Sequence, residues 1–113
     1  MNHDEAEMRL AVYGSLAPGR VNHHLLANID GNWSLGFVTG KLMNAGWGAA
    51  LGYPGLVLHT DGDSIEVHVL ESPHLPLHWA RLDDFEGENY RRVTTKVHTD
   101  KGVIDASIYI LNT

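Results

Sequence analysis

Cysteine is absent from the 113 residues, which removes disulfide frameworks, thiolate nucleophiles and sulfur-rich metal sites in one step. Positive charge is scarce. Eight lysines and arginines stand against 14 aspartates and glutamates, for a formal net charge of −6. That balance repels a phosphate backbone, so nucleic acid is not an expected partner. Long apolar runs are also missing, since none approaches the roughly 20 residues that a membrane helix requires. The opening MNHDEAEMR is acidic and polar, unlike a secretory leader. No membrane partner is expected, and the cytoplasm is the expected compartment. A chain of this length with 43% apolar residues closes one core rather than two. The expected organisation is a disordered lead over residues 1–8 and a single domain over 9–113.

What is present reads as short strands punctuated by glycine. RLAVY predicts a first strand, GSLAPGR a loop, and VNHHLLANI a short helix with Val21, Leu25 and Ile29 on one stripe. SLGFVTGKLM predicts a second strand whose two glycines suggest a bend or bulge, followed by the glycine-rich loop NAGWGAALGYPG. LVLHT and SIEVHVL flank DGD, and YRRVTTKVHT and VIDASIYIL flank DKG, which are two hairpin signals. Five or six strands result. With two short helices they form an α+β arrangement, a mostly antiparallel curved sheet.

The later helix runs through LHWARLDDFE to Gly87, a favoured terminator. Its apolar stripe of Leu75, Trp79 and Leu82 ends in Glu86, which sends a carboxylate toward the core at a helix C-terminus. Either the helix frays and Glu86 faces water or pairs with Arg91 or Arg92, or the position is functional. In the functional case burial, the helix end and the like charges of Asp83, Asp84 and Glu88 all raise its pKa. Glu86 then becomes an acid and base suited to exchanging protons with an amine near neutrality.

YGSL, residues 13–16, ends the first strand abruptly. Gly14, Ser15 and Leu16 either form an ordinary connection or gather backbone N–H groups into a concavity for an anion or carbonyl oxygen. The Walker spacing and its lysine are missing. Ser15 lacks a GxSxG elbow, although a serine paired with His23 or His24 is an alternative. The eight histidines are scattered. Only His74 and His78 have the i, i+4 spacing of metal ligands, with no evident third ligand, so no metal site is expected. His68 lines a pocket or faces water, and Trp33, Trp47 and Tyr53 wall a small-molecule site or simply pack.

Taken together, VYGSLAPG, YPGLV, LDDFEGENYRRVTTKV and ASIYIL resemble, in that order and across nearly the whole chain, the γ-glutamylcyclotransferase-like family of the YGSL type. The resemblance implies a small mixed β-barrel with short helices and a pocket between the YGSL loop and the helix-end glutamate. It implies that Glu86 is the catalytic acid and base, and that Tyr13, Gly14, Ser15 and Leu16 hold the γ-glutamyl moiety or product. Tyr90 and Tyr109 would stand near the pocket, with Arg92 as the arginine of Y-x-R. The implied partner is a small γ-glutamyl substrate, cyclised to 5-oxoproline without a cofactor. Ile65 and His68 replace the family's Gly and Tyr in the strand SIEVHVL. A binding protein that retains the pocket without catalysis is the alternative.

Overall fold

The computed structural model describes residues 3–13, 24–43, 55–88 and 90–111. In chain order its elements are α1 (His3–Glu7), β1 (Arg9–Val12), α2 (His24–Ala27), β2 (Asn32–Met43), β3 (Gly55–Leu58), β4 (Asp63–Glu71), a 3₁₀ turn (Leu75–Leu77), α3 (Trp79–Glu86), β5 (Tyr90–Thr99) and β6 (Gly102–Leu111). The strands pair in the order β3-β2-β4-β1-β6-β5, and β2 also meets β5 where Phe37 faces His98. That contact closes β2, β4, β1, β6 and β5 into a barrel, leaving β3 as an additional strand on β2. Only the β1–β6 pairing is parallel among the described strands. The expected α+β barrel with a mixed, mostly antiparallel sheet is what forms.

Alternation along the strands divides the apolar residues into two clusters. Ala11, Val38, Val67, Val69, Val97, Ala106, Ile108 and Ile110 come from all five barrel strands and fill the interior, joined by Leu56 of β3. Leu10, Val12, Leu70, Tyr90, Tyr109 and Leu111 point the other way, and Leu26, Ile29, Leu75, Trp79 and Leu82 cover them. Burying each of these large side chains contributes about 1.5–3 kcal/mol. The helices lie on one outer face of the barrel and cap a second, separate core.

Four local expectations are corrected. Residues of the lead are ordered from His3 to Glu7 as α1, because Ala6 is buried and its carbonyl accepts the Ser107 hydroxyl at 2.7 Å. The Trp79 indole N–H also donates to the Glu7 carbonyl, at 3.1 Å. The DGD segment does not make a hairpin, because β2 lies between β3 and β4: Gly40 pairs with Leu58 on one edge and with Asp63 on the other. The connection steps over the strand at that point, and a Cβ on Gly62 would lie 2.6 Å from the Gly40 carbonyl oxygen. The glycines of β2 mark no bulge against β4, since the register runs unbroken from Asn32 to Gly40. Finally, α2 ends at Ala27, two residues before Ile29, and Leu26 and Ile29 are buried, while Val21 lies outside the described residues. The DKG hairpin forms as expected, with Thr99 paired to Gly102.

Candidate active site

The site is built on the last turn of α3. Trp79, Leu82 and Glu86 share one face of the helix and all three are buried. Leu75, one turn earlier, packs in the same cluster from the 3₁₀ turn. The stripe that enters the outer core therefore does end in a carboxyl group. Gly87 stops the helix with φ +79, a conformation that side-chain-bearing residues rarely adopt. Its N–H caps the Asp83 carbonyl at 3.0 Å, and its own carbonyl accepts the Tyr90 N–H at 3.3 Å. One glycine thus both ends α3 at Glu86 and starts β5 at Tyr90.

Glu86 is 9% exposed, and burial pushes its pKa from 4.5 up to about 7, with the nearby Asp83 charge adding to the rise. Of the three acidic neighbours expected to crowd it, all are exposed, and it is the Asp83 charge that acts on it. Arg92 does not pair with Glu86. Its Nε donates to Asp83 Oδ1 at 2.9 Å and its Nη2 to Oδ2 at 3.2 Å, while the guanidinium carbon sits 4.3 Å from the centroid of the Trp79 ring. Tyr109 donates its hydroxyl to the same Asp83 Oδ1 at 2.6 Å. These contacts are set by the β5–β6 register, which places Arg92 opposite Tyr109 and so aims both at one carboxylate. They hold the Asp83 carboxyl below its ordinary range despite the opposing effect of partial burial. Asp83 is therefore an anion wherever Glu86 changes its proton.

Tyr13, at the end of β1, ties this corner to the rest of the barrel. Its hydroxyl donates to the Tyr109 carbonyl at 2.7 Å and accepts the Leu56 N–H at 3.0 Å. Burial raises the phenol far above its usual range, an increase that the Leu56 hydrogen bond offsets in part and the Glu86 charge reinforces. Tyr109 is raised for the same first reason, with the Asp83 hydrogen bond next. Both phenols stay protonated at any pH at which Glu86 titrates. Tyr90 is buried in the cluster beneath α3. Among the described residues, the Glu86 charge reaches the phenols of Tyr13 and Tyr109.

The family described as gamma-glutamyl cyclotransferase, AIG2-like matches residues 10–113. The chain belongs to that family. Among solved structures, YkqA from Bacillus subtilis is 33% identical with a TM-score of 0.71. The similarity covers 93% of this chain and 36% of YkqA, so the chain spans about a third of that protein. An aig2-like protein from Mus musculus is 24% identical with a TM-score of 0.71, over 94% of this chain and 78% of the mouse protein. A structure described as gamma-glutamyl cyclotransferase is 16% identical with a TM-score of 0.66, over 94% of this chain and 67% of its own. The last two show the shared fold. No curated protein matches the sequence.

Within this cyclotransferase-like fold the remaining expectations sort as follows. Gly14, Ser15 and Leu16 lie outside the described residues, as do His23, Trp47 and Tyr53. Trp33 packs partly buried against the outer cluster. His68 is half-buried on β4, between Val12 of β1 and Leu35 of β2. His78 Nδ1 lies 2.9 Å from Arg81 Nη2. Among the described residues no group of three metal-ligating side chains occurs, and no helix is long and apolar enough to cross a membrane. Sequence reasoning missed the clamp on Asp83. The i, i+3 spacing of Asp83 and Glu86 was a visible signal, but the pairing with Tyr109 required the strand register.

Proposed function

We propose that the chain converts a γ-glutamyl amine or γ-glutamyl amino acid to 5-oxoproline. The observation that carries this reading is the Glu86 carboxyl, buried at the end of α3 and raised to about 7, in a chain of the cyclotransferase family. In this reading the Glu86 carboxylate takes a proton from the substrate's α-ammonium. The freed amine attacks its own γ-carbonyl carbon, and N–H groups of Gly14, Ser15 and Leu16 stabilise the negative charge that develops on the oxygen. Glu86 then delivers its proton to the departing nitrogen as that C–N bond breaks, and it passes the second proton of the ring nitrogen to the released amine, so that neutral lactam and an ammonium leave and the carboxylate is regenerated. Atoms and protons balance within one turnover, and the chemistry asks for no cofactor.

The raised pKa matters quantitatively. A carboxylate at its ordinary value facing an α-amine near 8 leaves proton transfer about 5 kcal/mol uphill, whereas one near 7 leaves it only about 1–2 kcal/mol uphill. Tyr13, Tyr90 and Tyr109 supply walls that keep water from the carboxyl and hold the glutamyl chain folded, and such orientation is worth several kcal/mol more. The test is to incubate the protein with γ-glutamyl dipeptides and γ-glutamyl amines and measure 5-oxoproline by mass. Wild type accumulates it and Glu86→Gln does not, with the circular dichroism of the variant unchanged. Full turnover by Glu86→Gln on a cyclising substrate would remove the assignment.

A second reading, a small-molecule binding protein with the pocket but no turnover, is favoured by Ile65 and His68 on β4, where the resemblance leads one to expect Gly and Tyr. It predicts ligands that raise the melting temperature while no substrate yields 5-oxoproline.

A further inference from the structure

We propose that Asp83 is a positioning residue for Glu86: the clamp from Tyr109 and Arg92 fixes its anionic carboxylate one turn away, and Arg92 sets how much of that charge Glu86 feels. The inference rests on reading Glu86 as the proton-exchanging group and adds the machinery that tunes it.

Three features point to a built device rather than an incidental surface ion pair. Both Asp83 oxygens are used, with three donors from two strands converging on them. An ordinary exposed pair has little geometric definition and contributes little, whereas a two-point guanidinium contact fixes direction as well as distance. Arg92 is itself held from behind by the Trp79 ring at 4.3 Å, and that ring is pinned by its N–H to the Glu7 carbonyl at 3.1 Å. Finally, Tyr109 joins the clamp to the other side of the site, since its hydroxyl binds Asp83 while its carbonyl accepts the Tyr13 hydroxyl. Two consecutive hydrogen-bonding residues thus connect the end of α3 with the strand that leads into residues 14–16.

Among the described residues, the groups shown to interact electrostatically with Glu86 are Asp83 on α3 itself, Tyr13 just after β1 and Tyr109 from β6. Tyr13 and Tyr109 are neutral at the relevant pH, so the fixed charge in this set is that of Asp83. Arg92 reaches Asp83 rather than Glu86. It therefore acts on Glu86 by offsetting the aspartate, and the two members of the ion pair push the Glu86 carboxyl in opposite directions.

That opposition supplies a test that a merely structural role does not reproduce. The Glu86 carboxyl carbon is followed by NMR across pH in ¹³C-labelled wild type, Asp83→Asn and Arg92→Gln, with no substrate present. Asparagine keeps an acceptor for the Tyr109 hydroxyl and removes the charge, so the midpoint falls by about one pH unit. Arg92→Gln leaves the aspartate uncompensated, so the midpoint rises by ~0.5 pH unit. Simple loosening of α3 would hydrate Glu86 and lower the midpoint in both. Opposite shifts support the proposal; shifts of one sign, or none, overturn it. If Asp83→Asn does not fold, Arg92→Gln decides alone, a rise supporting the proposal and a fall or no change overturning it. Failure of wild type to form 5-oxoproline would instead overturn the reaction assigned above, because the titration does not depend on turnover.

Discussion

The two apolar clusters differ in kind. The barrel interior is aliphatic, built from valine, isoleucine, leucine and alanine, with Tyr13 at its border. The outer cluster beneath the helices contains Trp79, Tyr90 and Tyr109 and receives Glu86 on the same face of α3 as Trp79 and Leu82. An aliphatic interior offers nothing to a polar group and serves only to hold five strands in register. The aromatic layer combines apolar bulk with hydroxyl and indole donors, so it can admit a carboxyl group and still satisfy its neighbours. On the proposed function, stability and chemistry fall on opposite faces of the same strands: Ile108 and Ile110 point inward while Tyr109 between them joins the outer cluster.

The largest effect that sharpens this contrast is on the outer face. Glu86→Gln lowers the rate of 5-oxoproline formation by roughly 10²–10⁴-fold, measured under saturating substrate, without loss of the fold. In the interior the reverse is expected. Ile108→Ala removes buried aliphatic volume and costs about 2–5 kcal/mol in urea unfolding, yet it leaves the pH at half-maximal rate where wild type has it. A shifted pH profile in Ile108→Ala would break the division.

A somewhat smaller effect comes from linkage. Because the folded pKa of Glu86, about 7, lies above its ordinary 4.5, the unfolded chain releases this proton first as pH rises. The group's contribution is fully present below about 4.5 and is lost as pH climbs to about 7, a total on the order of 3 kcal/mol. Glu86→Gln carries no such loss. Unfolding free energies compared at pH 4.5 and pH 8 should therefore decline in wild type relative to the variant. The smallest effect is at the clamp: Tyr109→Phe removes one hydrogen bond to Asp83, costs about 1 kcal/mol in stability, and lowers kcat more than it raises KM.

What the sequence made legible was local in origin. The stripe of Leu75, Trp79, Leu82 and Glu86 depends on helical periodicity alone, and Gly87 marks its end by a conformation glycine tolerates. Asp100 and Lys101 turn one strand back on its neighbour within a few residues, so the β5–β6 hairpin was readable too. What escaped depends on partners far along the chain. The helix α1 looks polar and disordered until Ser107 and Trp79 hydrogen-bond to it. The strands β3 and β4 look like a hairpin because nothing near DGD reveals that β2 separates them. The Asp83 clamp joins residues 26 apart in sequence to Tyr109, which only the closed barrel brings together. The expectation that Tyr13, Glu86, Tyr90 and Tyr109 stand at the pocket came from the family resemblance, and the burial of Glu86 was legible from its place on the stripe.

The central claim is that Glu86 is a sequestered carboxyl group that exchanges its proton near neutrality. Its ¹³C carboxyl resonance in the unsubstituted protein tests this most directly: the account predicts a titration midpoint near 7, and a midpoint near 4.5, that of an ordinary hydrated glutamate, would contradict it.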